Sequence, residues 1–173
     1  RKQVLCPVRK PLIVMSPKSL LRHKESTSSL QELADGSFQV VIDETDNLDP
    51  EAVRKIVICS GKVYYDLRAE RRARDIDDIA ILRLEQLYPF PEKDFQHCLA
   101  GYNNATDFIW CQEEPMNQGA WYASQHHMRR VICSINPDIY LQYVGRDASA
   151  AAAAGYHALH LEQQKRFIDQ ALS

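Results

Sequence analysis

The sequence predicts an α/β layer structure with a largely parallel central sheet. Short β-branched runs alternate with longer amphipathic stretches. The apolar runs are nearly continuous, as in strands covered on both faces, and helix-like segments lie between them as crossovers.

In chain order, PLIVM (11–15) reads as a buried strand, followed by a helix that Ser16 caps and Pro17 opens. SFQVVID (37–43) reads as a short second strand and KIVICS (55–60) as a third. GKVYYDLRAERRARD sets Val63 and Leu67 at helical spacing. DIAILRLE (78–85) is a strand, and PEKDFQHCLAGY is a helix that starts with Pro91 and acids and ends at Gly101. DFIWCQ (107–112) is a strand, and NQGAWYASQHHMRRVI is a helix with Trp121, Gln125 and Met128 along one face. IYLQYVG (139–145) is the last strand. The C-terminal helix carries Leu159, Gln163, Phe167, Ile168 and Leu172 as its stripe.

The 173 residues suit one domain with a real core. No apolar run approaches the ~20 residues of a membrane span. The start carries no secretory signal and no initiator Met, so the chain reads as a piece of something longer. Five cysteines, odd in number and without a Cys-x-x-Cys pair, point to a reducing compartment. The formal net charge of −2 is unevenly spread, because Arg1, Lys2, Arg9, Lys10, Lys18, Arg22 and Lys24 all precede the first acid, Glu25. Such a basic edge favours anionic partners, but it is too short and too poor in aromatics for nucleic acid.

Three candidate sites emerge from the residues. In the first, Ser16, Lys18, Ser19 and Arg22 surround an expected helix N-terminus beyond a strand, where backbone N–H groups and cations would hold a phosphate. The plain alternative is a capped helix with solvated cations. In the second, Glu113 and Glu114 end a strand before a helix that Gly119 opens. Adjacent strand residues face opposite ways, so the pair is a poor acid–base dyad unless the chain bends; one is expected to cap the helix and the other to form an ion pair. In the third, the pairs His126/His127 and His157/His160 each lack the further ligand that zinc needs. RAERRARD (68–75) reads as a solvated helix face. No phosphate loop and no nucleophile motif is present.

Longer phrases carry a resemblance: RKPLIVMSPKSLLRH (9–23), SGKVYYDL (60–67), RLEQLYPFP (83–91), WCQEEPMNQGAW (110–121) and YVGRDASA (143–150). Together they resemble the C-terminal domain of the thiamine-diphosphate-dependent first component of the 2-oxoglutarate dehydrogenase complex. The resemblance implies a transketolase-type C-terminal domain over residues 1–173, cut from a multidomain chain that forms a homodimer. The implied parent reaction is oxidative decarboxylation of 2-oxoglutarate in the tricarboxylic acid cycle, with succinyl transfer to the lipoyl arm of a partner succinyltransferase. Thiamine diphosphate and magnesium would bind in preceding domains, since the Gly-Asp-Gly…Asn motif is missing here, and the fragment alone would be inactive. The implied location is the bacterial cytoplasm, or the mitochondrial matrix in a eukaryote.

The resemblance also makes Glu113, Glu114, Gly119, Trp121, Arg146 and Ser149 a structural corner near a subunit interface. It makes Ser16, Lys18, Ser19 and Arg22 a site for AMP or acetyl-CoA. The family's Arg-Pro-x-Ser-Ala-Ser-Pro-Ala segment departs here: Asp147, Ala151 and Ala152 replace proline, serine and proline. Two alternatives remain, a free-standing nucleotide-sensing or assembly module and a parent acting on 2-oxoadipate.

Overall fold

The computed structural model describes residues 2–173. Residues before Val40 form one compact unit and Val40–Ser173 another. In the first unit, α1 spans Lys2–Leu5 and α2 spans Leu30–Asp35. The sequence reading missed α2, although its start is legible. Ser29 accepts from the Glu32 amide, and the Glu32 carboxylate accepts from the Ser29 amide, a reciprocal cap at S-x-x-E spacing.

The expected strand at 11–15 is not formed, and no regular element covers 11–17. Ser16 is not a cap either: Pro17 takes that position, without a side-chain hydrogen bond, ahead of a five-residue 3₁₀ helix, Lys18–Arg22. The physical reason is local. An extended segment needs a hydrogen-bonding neighbour, and five residues without a cap do not sustain an α-helix.

The second unit has the expected three-layer architecture. Its strands are β1 (Val41–Ile42), β2 (Lys55–Cys59), β3 (Ile79–Leu84), β4 (Asp107–Pro115) and β5 (Leu141–Arg146). They lie in the order β1-β3-β2-β4-β5. The pairs β2/β3, β2/β4 and β4/β5 are parallel, whereas the edge strand β1 runs antiparallel to β3. Helices α3 (Val63–Ala73) and α6 (His157–Ala171) cover one face. Helices α4 (Glu92–Leu99) and α5 (Trp121–Ile135) cover the other.

Strand alternation sorts the core. Val57, Cys59, Ile79, Ile81, Ile109 and Cys111 meet Leu67 of α3 and Phe167 of α6. Their neighbours Ile56, Ile58, Ala80, Leu82, Phe108 and Trp110 meet Phe95 of α4 and Met128, Val131 and Ile132 of α5. All of these are buried, which explains why β2, β3 and the first half of β4 read as nearly continuous apolar runs, broken in β3 by Arg83.

Two helix stripes differ from the expectation. On α6 only the C-terminal half docks, through Phe167, Ile168 and Ala171, while Leu159 is 41% exposed. On α5 Ser124, Val131 and Ile132 join Trp121 and Met128 in the core, and Gln125 lies at its margin.

The arginine run on α3 is not wholly a solvated face, although Arg72 and Arg74 remain exposed. Arg71 is 1% exposed; it donates to both Glu44 oxygens, to Asp46 Oδ2 (2.6 Å) and to the Ile79 carbonyl (2.9 Å). Arg68 and Arg72 also donate to Asp46. Glu44 in turn accepts from the Ile81 amide at 2.8 Å. This network fastens the loop after β1 onto α3 and β3. Its acids lie more than twenty residues upstream of its arginines, so helical periodicity could not reveal it.

Candidate functional site

In β4, Cys111 pairs with Val144 of β5 but Pro115 pairs with Arg146, so four steps on β4 face two on β5. The extra residues form a bulge, which bends a strand and re-aims its side chains. Trp110 and Gln112 still share a face, two residues apart.

Gln112, 2% exposed, organises the corner that follows. Its Oε1 accepts from the Trp110 indole (2.8 Å) and from the Trp121 backbone N–H (3.1 Å). Its Nε2 donates to the carbonyls of Gln118 (2.8 Å), Pro115 (3.1 Å) and Glu114 (3.2 Å). One side chain thus closes the loop and caps the first turn of α5, whose own N-cap residue, Ala120, supplies no side-chain bond.

Gly119 sits at φ +66°, and a Cβ there would lie 3.0 Å from the Gln112 amide. The glycine therefore permits a close approach that a side chain would block. Trp121 packs, 5% exposed, with its ring 5.3 Å from that of Tyr143.

The two glutamates divide. Glu113 points to the α3/α6 face and accepts from Lys62 Nζ at 3.1 Å, which is the expected ion pair. Glu114 is exposed and contributes its backbone carbonyl. Neither caps α5, which corrects that part of the reading. A carboxylate cap needs its oxygen at the first-turn N–H groups, and there Gln112 already stands.

Arg146, 8% exposed, ends β5 and ties the corner to α6. It donates to the Glu113 carbonyl (2.6 Å), to Gln164 Oε1 (3.1 Å) and to His160 Nδ1 (3.0 Å), which makes that nitrogen an acceptor. Gln164 then donates to Asp66 at 2.9 Å, and Lys62 lies 3.0 Å from the same carboxylate oxygen. Burial pulls the Lys62 ammonium down, but the hydrogen bonds and charges of Asp66 and Glu113 outweigh it and leave Lys62 above its ordinary value.

Tyr143 donates to the Arg146 carbonyl at 3.0 Å, and burial pushes its hydroxyl up to about 12. Gly145 leaves no room for a side chain, since a Cβ would stand 2.5 Å from the Tyr143 hydroxyl. Ser149 joins the corner through its backbone: its amide donates to Asn117 Oδ1 and its carbonyl accepts from Asn117 Nδ2, both at 2.9 Å. The loop that departs from the family pattern is therefore clasped by Asn117.

Gln112, Asn117, Lys62, Gly145 and Gln164 escaped the sequence reading. The available signal was a glutamine inside an otherwise apolar strand, two residues after a tryptophan.

This arrangement orients backbone and holds three loops together. It sits where β2 and β4 diverge to opposite sides of the fold, the crevice in which open α/β sheets hold ligands. Here the Lys62–Glu113 pair bridges that crevice. The nearby thiols are poor nucleophiles, because burial raises Cys111 to about 12 and Cys59 well above the ordinary value. Among the described residues no group of three or more His, Cys, Asp or Glu gathers as metal ligands. Among the described residues no helix is long and apolar enough to cross a membrane.

Lys18 and Arg22 do not share a face as expected. In a 3₁₀ helix residues three apart eclipse, so residues four apart diverge by about a third of a turn. Ser16, Lys18, Ser19 and Arg22 are all exposed.

Residues 27–172 match the family described as 2-oxoglutarate dehydrogenase C-terminal. The chain is 56% identical over 173 residues to a 2-oxoglutarate dehydrogenase E1 component of Azotobacter vinelandii, covering all of this chain and 18% of that protein. It is 54% identical over the same length to an E1 component of Haemophilus influenzae, again 18% of that protein. An oxoglutarate dehydrogenase of Buchnera aphidicola is 49% identical, with 19% covered. The chain thus spans under a fifth of the length of these relatives. A match over most of the chain, together with high identity to these relatives along its whole length, leads to one conclusion: the chain belongs to the 2-oxoglutarate dehydrogenase C-terminal family.

Proposed function

We propose that this chain is the C-terminal structural and regulatory part of a 2-oxoglutarate dehydrogenase first component. The parent enzyme oxidatively decarboxylates 2-oxoglutarate and passes the succinyl unit to the lipoyl arm of a succinyltransferase. The observation that carries this reading is 56% identity along the whole chain to an E1 component. Thiamine diphosphate and magnesium belong to domains outside these residues. That division is supported by the share of the relatives this chain covers, under a fifth of their length. The corner at Gln112 would brace the homodimer through the loops it fixes, with Glu114 and Ser149 at its surface. A bacterial cytoplasm, or a mitochondrial matrix, is the setting this role implies.

The test is turnover. The full-length polypeptide should decarboxylate 2-oxoglutarate with thiamine diphosphate and magnesium, faster than it does 2-oxoadipate, while the 173-residue chain should not. Turnover by the short chain, or a full-length protein inert to both acids, overturns the proposal. A start codon immediately before Arg1 would favour the free-standing sensing or assembly module.

For regulation, the exposed Ser16, Lys18, Ser19 and Arg22 are read as a contact for AMP or acetyl-CoA. The reading rests on charge and accessibility, because the short 3₁₀ turn supplies no α-helical N-terminus. Calorimetry on the full-length enzyme with Lys18→Ala and Arg22→Ala combined should show weakened effector binding. Unchanged affinity removes the site.

A further inference from the structure

Leu12, Ile13, Val14 and Met15 expose 64%, 85%, 67% and 92% of their surface. Successive residues of an extended segment point to opposite sides, so both sides of this one are apolar. Contiguous large apolar side chains left in water mark a surface that another structure covers. Apolar residues on both sides fit one environment best, a strand with a layer packed against each face. The segment nevertheless takes no strand, and the five-stranded sheet of the second unit does not include it.

Two further observations say what covers it. The family match begins only at residue 27, whereas the long relatives align with the whole of this chain. Residues ahead of 27 thus correspond to a region of those relatives outside the C-terminal family. The structure also divides the chain, at Val40 and so within the family match, and residues 11–15 fall outside the unit that holds the sheet.

We infer that residues 11–15 are a strand of the domain preceding the C-terminal region in the longer polypeptide, built into that domain's sheet and covered there on both faces. This rests on the proposed reading only in taking the chain as part of a longer polypeptide. The occupant is the upstream segment of the same polypeptide, whose neighbouring strands supply the missing hydrogen bonds. Pro17 has no N–H to offer and holds Ser16 extended, so the ladder stops there and the 3₁₀ turn begins the connection between domains. The domain boundary accordingly falls inside the chain, after the strand.

Hydrogen exchange read by mass spectrometry on the unmodified full-length polypeptide tests this. A peptide covering residues 11–17 reports the amides of Leu12 to Met15. Their exchange should be at least about 100-fold slower than in an unstructured chain of the same sequence, as for a buried strand. Exchange at the unstructured rate overturns the inference. Protection that disappears on dilution to monomer also overturns it, because it assigns the strand to a second copy. Assaying 2-oxoglutarate turnover on the same sample keeps the two readings apart. Turnover without protection defeats the strand alone, and protection without turnover defeats the enzyme reading and leaves the strand standing.

Discussion

Replacing Gln112 with methionine keeps the side chain unbranched and close in length while removing every hydrogen bond it makes. Two buried donors then lose their acceptor, the Trp110 indole at 2.8 Å and the Trp121 amide at 3.1 Å. Each orphaned buried donor costs about 1–3 kcal/mol, whereas the freed carbonyls, on a loop near solvent, cost less. The expected destabilisation is therefore about 3 kcal/mol, or a fall in Tm of roughly 6–12 °C for a chain of this size. Guanidinium unfolding followed by tryptophan fluorescence is the natural assay, because the chain's two tryptophans are the two residues that donate to Gln112. Combining Gln112→Met with Trp110→Phe removes one orphan and should return about 1 kcal/mol as a coupling energy. A loss below about 1 kcal/mol, with no coupling, would refute the view that one amide fixes this corner.

Two other expectations concern the same unit. Gly119→Ala should cost about 1–3 kcal/mol by denaturant unfolding and more than Gly61→Ala; both glycines have positive φ, but a Cβ meets the Gln112 amide only at position 119 and meets nothing within 4 Å at position 61. For Asp46, the Arg72 hydrogen bond, opposed by burial and reinforced by Arg68 and Arg71, holds the carboxyl well below the usual carboxylate range. A depressed folded-state pKa stabilises above the unfolded value and loses that stability as pH falls through the folded one. The acid limb of a Tm–pH profile should therefore decline below about pH 4 and be shallower in Asp46→Asn; identical acid limbs would contradict the network.

How much of this was legible depends on the range of the interaction. The strands and helices of the second unit follow from local patterns, because burial on both faces leaves a strand no polar positions and one-sided burial gives a helix its period. That Gly119 opens a helix was legible for a similar reason, since glycine before a helix signals a special backbone geometry, but its contact with Gln112 was not. Arg71 was misread because its periodicity suits an exposed face. Only the fold brings Glu44 and Asp46 against it and replaces its water. Gln112 was passed over because a lone polar residue in a strand does not announce five partners.

Residue order alone determined the layered α/β class, the order of elements from Val41 onward and kinship with the oxoglutarate dehydrogenase C-terminal family. These depend on properties that each short stretch carries with it: side-chain polarity, branching and the backbone freedom of glycine and proline. Tertiary structure alone decided that Lys62 meets Glu113, that Arg146 reaches α6, that Arg71 of α3 is internal, and that Lys18 and Arg22 part company on a 3₁₀ turn. Each of these joins groups whose separation along the chain says nothing of their separation in space, or turns on about 20° of helix rotation per residue. The Leu12–Met15 segment falls between the two: its composition specifies a strand, but a strand exists only when another supplies its hydrogen bonds.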